Sequence, residues 1–246
     1  MGQVYCYDFF EEIWQVHQGS LLSSFLQLCR LASHFQVKAI SEMDVYRNFA
    51  ELIESEREGI DFRIYAVKRK GSSTVIVAPH GGAIEPGTSE VAKEVAHNDL
   101  SLAIFEGIKP KGNKRLHITS ANFDEPRCVE LVQESDTVVA IHGEGSAGLS
   151  VFLGGRDDNL RAKLIAALER YGYAVKTHGN PGLHGLAPEN ICNRGRDGVG
   201  VQIELSSGLR QTFFQSLTEK GRKKPAGELV RFAAAVREGL QDAGRL

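Results

Sequence analysis

Cysteine is scarce in this chain, which holds four among its 246 residues. These four, Cys6, Cys29, Cys128 and Cys192, form no CxxC pair and no dense framework. Small secreted domains and cysteine-rich zinc modules depend on such spacings, so both classes are disfavoured. We expect reduced thiols in a cytoplasmic protein.

A charge excess of one sign is also missing, since 29 basic and 31 acidic residues nearly cancel. The basic run at 220–224 is typical of a solvated turn and creates no large field for nucleic acid. No apolar run approaches the roughly 20 residues that span a bilayer. Asp8, Glu11 and Glu12 stand where a secretion signal carries positive charge. We therefore expect neither a nucleic-acid nor a membrane partner.

Several catalytic signatures are absent as well. The chain has no Gly-x-Ser-x-Gly elbow, no phosphate-binding P-loop and no dinucleotide-binding glycine pattern. Cys192 beside Asn193 could be imagined as a nucleophile, but no histidine partner is singled out for it. The chemistry of this chain must be sought elsewhere.

The chain divides into two parts by pattern. Residues 1–42 carry aromatic and leucine-rich helical patterns, which predict an N-terminal helical appendage or extension; an ordinary pair of packing helices is the alternative. Residues 43–246 form the main domain, and the whole chain, 42% hydrophobic, can bury one substantial core. This domain opens with a helix for which Asp44 is the expected N-cap.

From residue 60 onward, short apolar runs alternate with helical periodicity. The runs predict strands at Phe62–Lys68, Thr74–Ala78, Leu102–Phe105, Leu116–Thr119, Thr137–Ile141, Leu149–Leu153, Tyr173–Thr177 and Val199–Leu205. The periodic segments predict helices at Ser89–His97, Glu125–Glu134, Asp157–Tyr171 and Ala226–Gln241. A hairpin is expected at Gly71. We predict a three-layer α/β/α sandwich with an open mixed sheet.

Two histidines, His80 and His142, each end a β-branched run and are followed at once by glycine. Ligands gather where strands of such sheets end, so both imidazoles are expected at one sheet edge. A Gly-Gly loop lets Glu85 fold back beside His80. Two imidazoles and one carboxylate form a zinc ligand set with one position left for water. Each histidine taken alone is also compatible with a simple structural hydrogen bond.

Glu204 is the most informative carboxylate. It lies within an apolar strand, where burial is expensive unless the group is paired or used. We expect Glu204 to act as general base on a zinc-activated water. A structural ion pair with a nearby arginine is the alternative.

A glycine- and proline-rich loop precedes this strand. Asn193 and Arg194 at its end, together with Arg210, offer donors suited to carboxylates and are the expected substrate-binding residues. Surface arginines without a task are common, so an idle role is the alternative. His117 could line the site but is better explained by packing.

Four ordered motifs resemble those of the poly-γ-glutamate hydrolase family, a phage-related group: Pro79-His80-Gly-Gly-Ala-Ile-Glu85-Pro-Gly-Thr-Ser-Glu90, Ile141-His142-Gly, Asn190-Ile-Cys-Asn193-Arg194-Gly and Gln202-Ile-Glu204-Leu-Ser. The resemblance runs from about Asp44 to the final helix. It implies a fold similar to zinc carboxypeptidases and one Zn²⁺ per chain, held by His80, Glu85 and His142. It also implies a catalytic role for Glu204 and a γ-linked glutamate polymer as substrate.

The resemblance predicts a monomeric zinc-dependent amide hydrolase, released on host lysis if it is phage-derived. Beyond a zinc-binding module whose catalysis has decayed, two alternatives stay open at this point. One is a hydrolase of another acidic amide such as N-formylglutamate, whose hydrolases also open with a His-Gly-rich loop. The other is a phage replication or nucleic-acid accessory protein without catalysis, which the balanced charge disfavours.

Overall fold

A computed structural model describes residues 44–246. The predicted appendage at 1–42 lies outside the described residues. The described chain builds one sheet of seven strands: β1 Phe62–Val67, β2 Thr74–Gly82, β3 Ser101–Gly107, β4 Thr137–Glu144, β5 Ser150–Gly155, β6 Ala174–Lys176 and β7 Val201–Ser206.

The strands lie in the order β1-β3-β2-β4-β7-β5-β6. The inner strands β3, β2, β4 and β7 are mutually parallel, whereas β1 is antiparallel to β3 and β5 is antiparallel to β7. The predicted open mixed sheet is confirmed. The predicted hairpin at Gly71 is wrong, because β3 lies between β1 and β2. The connection 68–73 crosses the end of β3 instead of turning tightly.

Helices cover both faces of this sheet: α1 Phe49–Ser55, α2 Thr88–Ala96, α3 Pro126–Gln133, α4 Asp158–Arg170, α5 Ser207–Thr212, α6 Glu219–Arg222 and α7 Gly227–Asp242. One apolar core joins the sheet to α2, α4 and α7, and a second joins it to α1 and α3. Ile76 and Ala78 of β2 enter the first core, whereas Val75 and Val77 enter the second. Alternate side chains of a strand point to opposite faces, so the two cores lie on opposite sides of the sheet. The three-layer sandwich is confirmed.

The predicted cap of the first helix is wrong. Asn48, not Asp44, caps α1, because its side chain accepts the N–H of Glu51. Asp44 lies upstream, and its carboxylate instead accepts hydrogen bonds from His117 and Thr119.

The predicted strand at Leu116–Thr119 is also wrong. Leu116 ends a 3-10 turn that starts at Asn113, and the residues after it join no strand of the described sheet. Leu116 and Ile118 are apolar because they pack into the second core from a loop. An apolar run this short does not define a period by itself.

No helix within residues 44–246 is both long and apolar enough to cross a bilayer.

Candidate metal centre

Three neighbouring parallel strands carry the predicted site residues to one edge of the sheet. β2 lies beside β4, and β4 lies beside β7. His80 and His142 stand near the carboxyl ends of β2 and β4, and His142 is in register with Glu204 of β7. The carboxyl ends of parallel strands are the usual place for ligands in α/β sheets.

The glycines after His80 let the chain turn at once. Gly82 has a φ of +67°, and a Cβ there would lie 2.3 Å from the backbone oxygen of Gly107. Only glycine adopts this backbone at such close approach without strain. The Glu85 N–H then donates to the His80 carbonyl at 2.9 Å, which closes the loop and returns the Glu85 carboxylate to the imidazole.

The donor atoms of His80, Glu85 and His142 converge. His80 Nδ1 lies 3.0 Å from Glu85 Oε1 and 3.2 Å from His142 Nδ1. His142 Nδ1 lies 3.6 Å from Glu85 Oε2. One donor atom from each residue lies within 4.8 Å of the other two. Three side chains separated by up to 62 positions therefore meet at one point.

The hydrogen bonds around His80 leave one of its nitrogens free to bind a cation. Nε2 lies 2.7 Å from the Ile118 carbonyl oxygen, which can only accept, so Nε2 carries the proton. Nδ1 is then an unprotonated acceptor that faces a carboxylate and a second imidazole. Acceptors this close repel one another unless a cation or a proton lies among them. Two imidazole nitrogens and a carboxylate oxygen are a donor set that fits Zn²⁺.

Glu85 is held from a second side. The backbone N–H of Gly143 donates to its Oε2 at 2.8 Å. Because Gly143 follows His142 on β4, this bond fixes the carboxylate against the strand that carries the second imidazole. The triad is therefore positioned by backbone groups before any ligand binds.

The electrostatics of the triad favour a neutral His80 and an ionised Glu85, but they favour the protonated form of His142. Burial, together with the charge of His117, lowers the pKa of His80 to about 4. Burial alone would raise the pKa of Glu85, but the two histidines hold it well below its usual range. Burial alone would lower the pKa of His142, but the bond to Glu85 and the charge of Glu204 raise it instead. A neutral His80 and an ionised Glu85 are the states that bind a metal at neutral pH.

Glu204 lies beside this triad and is 4% exposed. Burial raises its pKa to about 7; the charge of His142 opposes the rise and that of Glu85 adds to it. Its Oε1 accepts a hydrogen bond of 2.9 Å from the Gln202 amide. A carboxyl group that titrates near neutral pH can take and return a proton under ordinary conditions.

Arg210 contacts three backbone segments that surround the site. Its guanidinium donates to the carbonyl oxygens of Leu205, Pro86 and Glu144 at 3.1, 2.6 and 2.8 Å. It is 4% exposed. Arg210 thus ties the ends of β4 and β7 to the loop that carries Glu85.

Asn193 and Arg194 also make backbone contacts. Asn193 is 2% exposed, and its amide donates to the carbonyls of Gly185 and Ala187 at 2.7 and 2.9 Å. Arg194 donates to the Phe123 carbonyl. No hydrogen bond or ion pair within residues 44–246 joins either residue to the triad. Substrate binding by Asn193, Arg194 and Arg210 stays a prediction.

The sequence favours packing for His117 and a capping role for Asp44, but the structure places His117 against the triad and Asp44 against His117. The rings of His117 and His80 have centroids 3.9 Å apart, and His117 Nε2 lies 3.9 Å from Glu85 Oε1. His117 Nδ1 lies 2.5 Å from the Asp44 carboxylate, 73 positions away in the chain. No local pattern indicates so distant a contact, and the short run around His117 resembles a strand.

Known proteins resemble this chain in sequence and in fold. A family described as poly-gamma-glutamate hydrolase matches residues 46–235. The UPF0714 protein YmaC of Bacillus subtilis (strain 168) is 37% identical over 203 residues, which cover 82% of this chain and 86% of YmaC. The UPF0714 protein YndL of the same organism is 37% identical over 187 residues, or 76% of this chain and 73% of YndL.

Two solved structures have a similar fold. A bacteriophage poly-gamma-glutamate hydrolase has a TM-score of 0.77 and 32% identity, covering 81% of this chain and 97% of that one. The zinc-free form of YndL has a TM-score of 0.76 and 35% identity, covering 81% and 98%. Because the family match spans most of the chain and the relatives exceed 30% identity, this chain belongs to the poly-gamma-glutamate hydrolase family.

Proposed function

We propose that this protein is a zinc-dependent hydrolase that cleaves the γ-glutamyl amide bonds of poly-γ-glutamate. The observation that carries the proposal is the convergence of His80, Glu85 and His142 in a chain of this hydrolase family. Among its relatives, one similar structure is a bacteriophage poly-gamma-glutamate hydrolase and another is a zinc-free form of YndL. The first of these relatives supports poly-γ-glutamate as the substrate, and the second supports zinc as the metal.

In this proposal His80, Glu85 and His142 would hold one zinc ion, since together they offer two imidazole nitrogens and a carboxylate oxygen. Bound zinc supplies Lewis acidity, which polarises an amide carbonyl and makes water more acidic. The chain contributes the preset geometry: Ile118 fixes the tautomer of His80, and Gly143 fixes the Glu85 carboxylate.

Glu204 is the proposed general base. It takes a proton from water as the water oxygen adds to the amide carbon. When the C–N bond breaks, Glu204 returns that proton to the departing nitrogen, so its own charge is restored after one turnover. A pKa of about 7 suits both transfers near neutral pH.

Positive charge is needed near the site because each unit of the polymer carries a free carboxylate. We propose that Arg194 and Arg210 provide it and that Asn193 shapes the loop that carries Arg194. Arg194 Nε is buried and has no hydrogen-bond partner among the described residues, so Arg194 acts through its charge rather than through this donor. Arg210, at 4% exposure, acts through its charge.

Metal analysis of the purified chain followed by incubation with poly-γ-glutamate tests the proposal. We expect one zinc per chain and shortening of the polymer, both lost in His142→Ala. His178→Ala is the matched control, because the His178 ring accepts the Asn180 N–H in a loop and no hydrogen bond or ion pair within residues 44–246 joins it to the triad. Zinc binding with intact polymer but hydrolysed N-formylglutamate would reassign the substrate. A zinc-free protein that binds nucleic acid in a salt-sensitive way would overturn the proposal.

A further inference from the structure

The Asp44 carboxylate binds the segment His117–Thr119, which lies behind His80. Its two carboxylate oxygens bond the ring Nδ1 of His117 at 2.5 Å and the backbone N–H of Thr119 at 2.6 Å. The Asp44 side chain is 10% exposed, so these bonds are shielded from water. Both residues on either side of Ile118 are thereby anchored to one carboxylate.

Ile118, which lies between these two anchored residues, orients His80. The Ile118 carbonyl accepts the Nε2–H of His80 at 2.7 Å and so keeps the Nδ1 lone pair on the side of Glu85 and His142. The His117 ring also covers the His80 ring, with centroids 3.9 Å apart and planes tilted by 31°. One contact sets the tautomer of His80, and the other limits rotation of its ring.

We propose that Asp44 and His117 are positioning residues that hold His80 in its metal-binding orientation. This inference rests on the proposed function, because it takes His80 as a zinc ligand. Partners in the layer behind a metal ligand fix its tautomer and orientation, and their loss typically weakens metal binding about 10- to 100-fold. Neither residue needs to touch the metal or the substrate for this effect.

Asp44 could instead serve only to tie the start of the described chain to the domain. Asp124 provides a matched control for that role. Its carboxylate accepts the backbone N–H of Phe49 at 2.6 Å, across 75 positions, and no described contact joins it to the triad. Asp44→Asn and Asp124→Asn each weaken one tether of similar span, but only the first disturbs the segment behind His80.

The test is a zinc titration of the full-length, chelator-stripped proteins against a chromophoric chelator. For Asp44→Asn we expect a zinc Kd about 10- to 100-fold above wild type, and for Asp124→Asn a zinc Kd equal to that of wild type. The cobalt-substituted Asp44→Asn protein should show shifted d–d absorption bands, because the orientation of one imidazole changes. A merely structural tether would lower the melting temperature of both variants without moving Kd or the bands.

His117→Phe is the second variant, should Asp44→Asn fail to fold. Phenylalanine keeps a ring over His80 but loses the bond to Asp44, so a raised zinc Kd with a folded protein again supports the inference. Wild-type Kd and cobalt bands in the folded variants would overturn it while leaving the proposed function intact. Wild-type protein that binds no zinc would overturn both.

Discussion

Two regions of this molecule each bury a carboxylate, but only one of the two carboxylates is paired with a cation among the described residues. Beside β1 and β3, Glu56 is 5% exposed and its carboxylate lies 2.5 Å from the ammonium of Lys109. At the carboxyl ends of β2, β4 and β7, Glu204 is equally buried at 4% exposure. No salt bridge to Glu204 forms within residues 44–246, and only the neutral amide of Gln202 donates to it.

The presence or absence of a cationic partner indicates whether a buried carboxylate serves structure or chemistry. A buried charge without a partner is costly, and a nearby cation removes most of that cost. Lys109 does this for Glu56, so that carboxylate contributes to structure. Glu204 retains the cost, and its pKa rises to about 7 as a result. Perturbed groups of this kind cluster at functional sites.

Glu204→Gln is the variant with the largest expected effect, and it tests whether the unpaired carboxylate acts in hydrolysis. We expect hydrolysis of poly-γ-glutamate to fall about 100- to 10,000-fold, because glutamine cannot carry a proton from water to the departing nitrogen. Zinc content should be unchanged. Glu56→Gln, an equally buried control, should keep wild-type activity. Near-normal hydrolysis by Glu204→Gln would show that another group is the base.

Lys109→Met tests the paired region. It removes the cation that faces Glu56 while keeping an aliphatic stem, and we expect the free energy of unfolding to fall by up to about 3 kcal/mol. The double variant Lys109→Met/Glu56→Gln should recover most of this loss in urea denaturation. Zinc content should not change in either protein. Equal stability of Lys109→Met and wild type would mean that the Glu56 carboxylate does not need Lys109 to offset the cost of its burial.

Bound zinc should stabilise the folded protein. At a free zinc concentration 100 times Kd, binding to the folded state should add about 2.7 kcal/mol to the free energy of unfolding. Denaturation with zinc and with a chelator measures this difference. His142→Ala should abolish it and His178→Ala should retain it. A gain that persists in His142→Ala would place the ion elsewhere.

The smallest expected effect is a pH dependence in the zinc-free protein. A glutamate in the unfolded chain titrates near its ordinary pKa of 4.5, whereas Glu204 in the fold titrates near 7. Between these values the folded state binds the extra proton, so its stability falls as pH rises. Glu204→Gln removes this contribution.

The melting temperature of Glu204→Gln relative to wild type should therefore increase from pH 5 to pH 8. Thermal denaturation of both zinc-free proteins across this range measures it, with Glu56→Gln as the control. A difference that is flat with pH would show that Glu204 is ionised throughout.

The strands and most helices were predictable because their periodicities are local. Apolar runs such as 74–78 and 137–141 are buried in one core or the other, and helix periodicity placed Thr88–Ala96 and Gly227–Asp242 to within about two residues. The short run at 116–119 failed because four residues do not distinguish a strand from a loop that packs inward.

The meeting of His80, Glu85 and His142 was also predictable. Two glycine-terminated strands and one tight loop are local features, and the topology of parallel sheets carries strand ends to one edge. The hydrogen bonds of Asn193 and Arg210 to backbone carbonyls were not, because an isolated amide or guanidinium in a sequence does not reveal its partner.

By itself, the sequence determined the three-layer class, the two histidine-bearing strand ends and the loop that returns Glu85, since each depends on residues a few positions apart. Only the tertiary structure decided the strand order, the tautomer of His80 and the hydrogen bonds of Asp44 with His117 and Thr119. The physical reason is range. Periodicity and turn chemistry act between neighbours in the chain, whereas hydrogen-bond partners and buried charges are chosen among groups that only the complete fold brings together.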